Sequence, residues 1–220
     1  YWKETRLKWH LALGIPKEMY RYHDHEKLAH YANAATDIEF KFPFGFKELE
    51  GIHSRTDFDL SRHSEFSGKK LQYFDTDSNE SYTPYVIETS IGVDRTVLAV
   101  FSHALKDEVL EDGSVRTVLS LPAKVAPYKA AILPLVKKDG LPEKAREIYG
   151  MLKSDLMLQY DEKDAIGRRY RRQDAIGTPF CITVDADTLQ DGTVTVRHRD
   201  TMAQDRVAIE QLKGYLLARL

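Results

Sequence analysis

Two prolines set the terms on which this 220-residue chain can fold. Pro122 and Pro127 sit in SVRTVLSLPAKVAPYK, just after an Asp112-Gly113 turn, and no helix continues easily through such a pair. The length suits one large domain or two of ordinary size. A break at the prolines gives two, 1–123 and 124–220, and the charge changes with it. Residues 1–123 carry 15 Lys and Arg against 20 Asp and Glu, whereas 124–220 carry 17 against 14. The second domain is therefore the better candidate for an anionic partner.

Beyond the prolines, strand and helix patterns alternate. KAAILPLV reads as a short buried strand, and LPEKAREIYGMLKSD as a helix with Pro142 near its first position and Ala145, Ile148, Tyr149 and Leu152 as its apolar stripe. A weaker strand, MLQYDE, leads to a basic helix around AIGRRYRRQD. PFCITVD and TVTVRHRD, joined through Gln190-Asp191-Gly192, read as a strand pair, and VAIEQLKGYLLARL as a terminal amphipathic helix. The pattern predicts an α/β domain with a mixed sheet. In the basic helix, Arg168, Arg169, Arg171 and Arg172 surround Tyr170. At about 100° per residue these four cannot face one way, so some must serve the fold, bracing acids such as Asp164 or Asp174, while others reach outward.

The first half is less regular. YWKETRLKWH reads as a structured segment, KLAHYANAATD as helical and EFKFPFGFKELEGIH as extended. After a turn-rich stretch, YVIETS has strand character and runs into a helix at GVDRTVLAVFSHAL. In an extended YVIETS, Val86, Glu88 and Ser90 share one side, so Glu88 and Ser90 converge. In the helix, Val93, Val97, Val100 and Phe101 form the expected apolar stripe, with Asp94 and Arg95 off it. Gly92 stands between strand and helix, where a missing side chain permits a tight turn or the close approach of a ligand. Arg95 is then a cation in a helix's first turn, where the dipole is positive and unpaired N–H groups point outward. A phosphate bound there makes it a partner of those N–H groups. A surface pair with Asp94, worth about 0–1 kcal/mol, is the plainer alternative.

Other constellations carry less. His23, His25 and His30 in HDHEKLAH lack a second ligand pair at zinc-like spacing and read as a solvated helix face, so no metal site is expected. RTDFDL places Arg55, Asp57 and Asp59 on one strand face, as a polar lining or an ion-pair ladder. The single cysteine, Cys181, lies in a strand-like run and reads as a small buried hydrophobe in a chain that works in the cytoplasm. No run approaches the roughly 20 apolar residues of a membrane span, so no membrane partner is expected. GxxxxGK, GxSxG and CxxC are absent, which leaves P-loop, nucleophile-elbow and dithiol chemistry without support. The chain starts at Tyr1, without an initiator Met, and reads as a piece of a longer protein.

PYVIETSIGVDRTVLAV resembles the third signature motif of class II aminoacyl-tRNA synthetases. With WHLALGIPKEMYRYHDHEKLAHYANAATDIEFKFPFGFKELEGIHSRTDFDL, APYKAAILPLV and IGRRYRRQDAIGTPFCITVD, the whole chain resembles the C-terminal part of glycyl-tRNA synthetases of the homodimeric type. The resemblance implies an α/β chain: the C-terminal piece of a class II antiparallel-sheet catalytic domain over 1–123, then an anticodon-binding domain over 124–220. It implies that Arg95 contacts the terminal phosphates of ATP, with Gly92, Val93 and Asp94 lining the same turn and Glu48 and Leu49 as a second ATP-contacting pair. Glycine would lie along Glu88, Thr89, Ser90, Ile91 and Gly92, with Glu88 attracting its ammonium, and Glu88 and Arg95 would be the catalytic pair. ATP would enter with Mg²⁺ as a substrate complex, with no tightly bound cofactor. The implied partners are glycine, ATP, tRNA(Gly), read by some of the four helix arginines, and a second copy in the full-length enzyme. The first two class II motifs are absent, so this chain alone is expected to be inactive. A non-enzymatic RNA-binding relative, or a synthetase for threonine, proline or histidine, is the competing reading.

Overall fold

In a computed structural model describing residues 1–220, the chain forms two compact units, Tyr1–Ser102 and His103–Leu220. The first starts with helix α1 (Trp2–Leu11) and holds strands β1 (Tyr20–Asp24), β2 (Ala34–Phe42) and β3 (Gly45–Ser54), helix α2 (Phe58–Ser67), a small hairpin of β4 (Tyr73–Asp75) and β5 (Glu80–Tyr82), strand β6 (Ile87–Ile91) and helix α3 (Val93–Ala104). An antiparallel sheet runs in the order β1-β2-β3-β6. Its core is made by Tyr20, Ile38, Phe40, Phe42, Leu49 and Ile52, with Ala99 from α3. Beneath it, Glu50 is wholly buried and joined to α1 by Arg6 and by His10, whose Nε2 lies 2.7 Å from Glu50 Oε2.

Two expectations for this unit need correction. KLAHYANAATD is not helical: turns and irregular chain run to Asn33, and β2 begins at Ala34. Thr36, Ile38, Phe40 and Phe42 are all buried, and Ala34 and Ala35 pair with Ser54 and His53 of β3, so extension of the buried strand by pairing outweighs alanine's helix preference. In α3 the buried residues are Ala99 and Ala104, with Val100 packed beside Ala99 against the sheet core, whereas Val93, Val97 and Phe101 are 73%, 51% and 44% exposed. The helix seats its small-residue side on the sheet, not its bulkiest one.

The second unit opens with a hairpin of β7 (Leu105–Val109) and β8 (Val115–Leu119). It continues as β9 (Ala130–Pro134), α4 (Leu141–Leu152), β10 (Leu158–Tyr160), α5 (Ile166–Ile176), β11 (Phe180–Val184), α6 (Thr188–Asp191), β12 (Thr193–His198), β13 (Gln204–Ala208) and α7 (Leu212–Leu217). The sheet order is β10-β9-β11-β12-β13, parallel through β11 and antiparallel after it. This is the mixed sheet expected. The α4 stripe is buried at Ala145, Ile148 and Leu152 against one sheet face, while Ala131, Leu133 and Cys181 pack on α5 at the other. Cys181 is buried, and burial pushes its thiol up to about 12. The terminal helix is shorter than its apolar pattern: Val207 and Ala208 still belong to β13, and α7 begins at Leu212.

The division falls ahead of the prolines because the β7–β8 hairpin belongs to the second unit's packing. Arg116 on β8 is 2% exposed and donates to Asp174 Oδ2 of α5 at 3.1 Å and to the Arg199 carbonyl at 2.9 Å. Gly177, at φ +85°, lets the chain pass so close that a Cβ there would lie 3.1 Å from the Leu119 carbonyl oxygen. The prolines bound a turn inside this unit, followed by an amine clamp in which Lys129 Nζ donates to the Ala123, Lys124 and Ala126 carbonyls.

Candidate functional site

Strand alternation organises the first unit's polar groups. Along β6, Glu88 lies opposite His53 and Ser90 opposite Gly51, so these four share one face of the sheet with Asp37, which lies opposite Gly51 on the other side. Thr89 and Ile91 belong to the other face, opposite Ile52 and Glu50. The sheet thus brings together Glu88 and Ser90 and separates Thr89 and Ile91 from them. On the opposite face, a cleft of about 450 Å³ lined by Thr36, Ile52, Ser54 and Ile87 opens beside the start of α1.

Glu88 is not a free carboxylate. Arg55 Nη1 donates to Glu88 Oε2 at 2.6 Å, while its Nε and Nη2 donate to Asp59 at 2.6 and 2.9 Å, and its guanidinium lies 4.1 Å over the Tyr31 ring. Hydrogen bonds to Asp59 and Glu88 raise the Arg55 pKa further, and the bond from Arg55 holds Asp59 below the usual carboxylate range. Arg55, Asp57 and Asp59 do not line a strand face. β3 ends at Ser54, Thr56 takes φ +57°, and α2 starts at Phe58, so the chain folds back and places Asp59 beside Arg55 while Asp57 stays exposed at the helix start. A β-branched residue in the left-handed region is strained, and strain of this kind gathers at functional sites. Arg55 is the partner of Glu88 that sequence reasoning did not assign; its place immediately after a strand ending GIHS was the available signal.

Arg95 is exposed and its Nη1 donates to the Glu48 carbonyl at 2.6 Å. That carbonyl belongs to a bulge: Ile38 pairs with Glu50 but Glu39 pairs with Glu48, leaving Leu49 as the extra residue. Glu48, Gly92 and Arg95 therefore meet at the start of α3, and the exposed Val93 and Asp94 lie in the same turn. The Leu49 side chain points into the core at 3% exposure, so only its backbone can address a ligand. Gly92 does not need a left-handed backbone, and a Cβ there would meet only the Arg95 stem at 3.7 Å, an ordinary contact. Its glycine keeps the surface over the turn low.

The histidine cluster is not a helix face. His23 is on β1, His25 follows it with Nε2 at 2.8 Å from Asp37 Oδ2, and His30 packs edge-on against Phe58 in the loop before β2.

On α5 the four arginines divide in two. Arg169 is buried and donates to the carbonyls of Pro134 at 2.6 Å, Leu135 at 3.0 Å and Asp161 at 3.2 Å. Arg172 is held by Asp161 at 2.7 Å and Asp164 at 2.8 Å. Hydrogen bonds to these two acids raise its pKa, while Asp161, which burial alone would raise, is held low by the Lys163 amide and Arg172. Arg168 and Arg171 are exposed, and Arg171 lines a shallow cleft of about 340 Å³ with Val115, Arg116, Thr117, Arg172 and Ala175. Of the two acids expected to brace the helix arginines, Asp164 does so. Asp174 is instead committed to Arg197, at 2.8 and 3.0 Å, and to Arg116. Tyr170 packs inward and meets Thr183 Oγ1 at 2.6 Å.

Residues 129–219 match the anticodon binding domain family. The glycine–tRNA ligase of Chlorobaculum tepidum is 54% identical over the whole of this chain, which spans 47% of that protein. Those of Borrelia hermsii and Bacillus cereus are 52% and 55% identical over 98% of the chain, which spans 50% and 47% of their lengths. The chain thus spans about half the length of the curated relatives it matches. Over its whole length the chain is thus similar to the C-terminal part of glycine–tRNA ligases, and the mixed sheet of its second unit lies in the stretch that matches the anticodon binding domain family.

Proposed function

We propose that the protein to which this chain belongs attaches glycine to tRNA(Gly), with the first unit contributing part of the activation site and the second reading the anticodon. The glycine carboxylate attacks the α-phosphorus of ATP, pyrophosphate leaves, and the glycyl group of the adenylate then passes to the 3′ hydroxyl of the tRNA with release of AMP. ATP arrives as its Mg²⁺ complex, and the full-length enzyme works as a homodimer in the cytoplasm. The observation that carries this reading is the convergence of Glu88 and Ser90 on one sheet face in a chain 54% identical to a glycine–tRNA ligase.

The chemistry is mostly positioning and charge neutralisation. Glycine has no side chain to grip, so its ammonium must be bound by charge and larger amino acids excluded by shape. Glu88 supplies the negative charge, and Arg55, drawn off by Asp59 on its far side, fixes the carboxylate without neutralising it alone. Arg95 sits where α3 presents its unpaired N–H groups, so a phosphate there gains guanidinium and amides together. A non-enzymatic RNA-binding relative needs neither an anion-ready helix start nor a carboxylate on an open sheet face.

Two substitutions in the full-length protein test the reading. Arg95→Ala is expected to raise the KM for ATP in glycine-dependent pyrophosphate exchange about tenfold or more, the scale of one charge-assisted hydrogen-bond pair. Glu88→Gln is expected to raise the KM for glycine instead. ATP and glycine constants unchanged in both variants would sink the assignment. The 220-residue chain alone is expected to show no glycine-dependent exchange and no tRNA charging, and glycine-specific exchange by it would refute the division of the site between this chain and the rest of the protein.

A further inference from the structure

Between Asp37 on β2 and Ser90 on β6, the residue on the intervening strand is Gly51, which has no side chain to fill the row. Two interstrand spacings, roughly 10 Å, separate the flanking backbones. The gap is not empty, because the His53 ring leans along β3 into it: a Cβ on Gly51 would lie 2.9 Å from His53 Cε1, 3.5 Å from its Nδ1 and 3.7 Å from Asp37 Oδ1. Residues two apart on a strand share a face, so the ring can lie down in this way only if residue 51 is glycine. Gly51 is buried and takes no left-handed backbone, so the requirement is for space and not for φ. His53 Nδ1 is buried without a hydrogen-bond partner, so no bond at that nitrogen sets the ring's position. What holds it is the vacancy at Gly51 and an edge-to-face contact with His25, 6.0 Å between centroids at 89°, with His25 in turn fixed by Asp37.

Glu88 lies directly across from His53, and Ser90 across from Gly51. We propose that the His53 ring, with its Cε1 edge held over Gly51, is the wall that limits the amino-acid pocket beside Glu88 and Ser90 to a substrate without a side chain. The inference rests on the reading of Glu88 and Ser90 as the glycine site. An amino acid whose ammonium meets Glu88 carries its α-carbon over the imidazole, so a side chain directed at the sheet collides with the ring. Glycine has only a hydrogen there. Gly51 acts at one remove, by keeping the ring down.

The test uses the full-length enzyme and amino-acid-dependent pyrophosphate exchange with glycine and alanine. His53→Ala is expected to lower the preference for glycine over alanine, as the ratio of kcat/KM values, by about tenfold or more, since a single methyl contact in a fitted pocket discriminates on that scale. Gly51→Ala, which forces the ring up, is expected to raise the KM for glycine with the KM for ATP unchanged. Adding His53→Ala to it is expected to bring the glycine KM back toward the His53→Ala value. That rescue is a result that a merely structural role for Gly51 would not produce. If Gly51→Ala does not fold, the specificity ratio of His53→Ala decides alone. An unchanged ratio in His53→Ala, while Glu88→Gln still raises the glycine KM, overturns the wall and leaves the site reading intact; an unchanged glycine KM in Glu88→Gln overturns the site reading itself.

Discussion

Arg95 and Arg169 both stand near the start of a helix, where a cation is disfavoured by the dipole, and the chain resolves the conflict in opposite ways. Arg169 is 2% exposed and spreads its charge over three carbonyls, from the ends of β9 and β10. Burial lowers its pKa, but a guanidinium starts so high that it stays charged. Arg95 is exposed and commits one donor to one carbonyl. A guanidinium has five N–H donors, so most of those on Arg95 stay available to a ligand, whereas those of Arg169 face the protein. The same residue type near the same helical position is thus a structural clamp in one unit and an exposed cation with most of its donors unused in the other. What separates them is how many backbone carbonyls arrive from elsewhere in the chain.

The largest effect expected from breaking this pattern is at Asp174, which is fully buried and pairs with both Arg197 and Arg116, the latter also held by Glu108. Asp174→Ala leaves two buried guanidinium groups without their shared partner and should cost about 3–5 kcal/mol, read as a lowered denaturant midpoint of the second unit. A loss below about 1 kcal/mol would mean that water or Glu108 replaces the carboxylate.

The comparison of the two arginines sharpens next. Arg169→Ala should cost about 2–4 kcal/mol, because buried carbonyls lose a charged donor and packing is lost with it. Arg95→Ala should change stability by no more than about 0.5 kcal/mol, the usual range for an exposed position. Equal thermal shifts in the two variants would erase the distinction drawn between clamp and contact.

Within α5 the same logic separates function from scaffold. Replacing Arg168 and Arg171 together by Ala in the full-length enzyme should reduce tRNA charging several-fold at subsaturating tRNA, more at low salt than at high, with glycine activation intact, because free arginines contact phosphates or unpaired bases. Arg172→Ala should affect charging less, since its guanidinium is held by Asp161 and Asp164. Charging that falls only in the Arg172 variant would reverse the assignment.

The smallest effect is with pH. Burial by itself would raise the Glu50 pKa, but hydrogen bonds from His10 and Arg6 outweigh it and hold the carboxyl below its ordinary value. Asp185 in the second unit behaves alike, with Arg206 and Thr188 as its donors. A depressed folded-state pKa contributes stability that is present above the unfolded value and lost as pH falls through the folded one. Both units should therefore hold a flat denaturant midpoint from pH 7 to about 5 and weaken below about 4. A midpoint that rises on acidification would show that these carboxylates are not the groups that matter.

Much of the site is legible in the sequence. The period-2 run YVIETS puts Glu88 and Ser90 on one face, and the change of period at Gly92 announces the helix that presents Arg95; both are local properties of a few consecutive residues. The alternation after Lys129 likewise points to a mixed sheet. Arg55 can be named from the sequence but not assigned, because its partners lie on different elements: Glu88 is 33 residues away, and Asp59 comes close only through the left-handed turn at Thr56.

What the sequence by itself determined is therefore the set of periodic elements, the pairing of Glu88 with Ser90, and the family likeness carried by whole motifs. What only the tertiary structure decided is which charged and apolar groups those elements use on themselves. Periodicity cannot say that Ala99 and not Val97 is the buried side of α3, that the β7–β8 hairpin belongs with α5, or that Arg169 and Arg172 are tied up while Arg168 and Arg171 are left exposed. A helix fixes only the angle between its own side chains. Whether a guanidinium is buried depends on carbonyls and carboxylates brought up from distant strands, and desolvating it is tolerated only where they meet it.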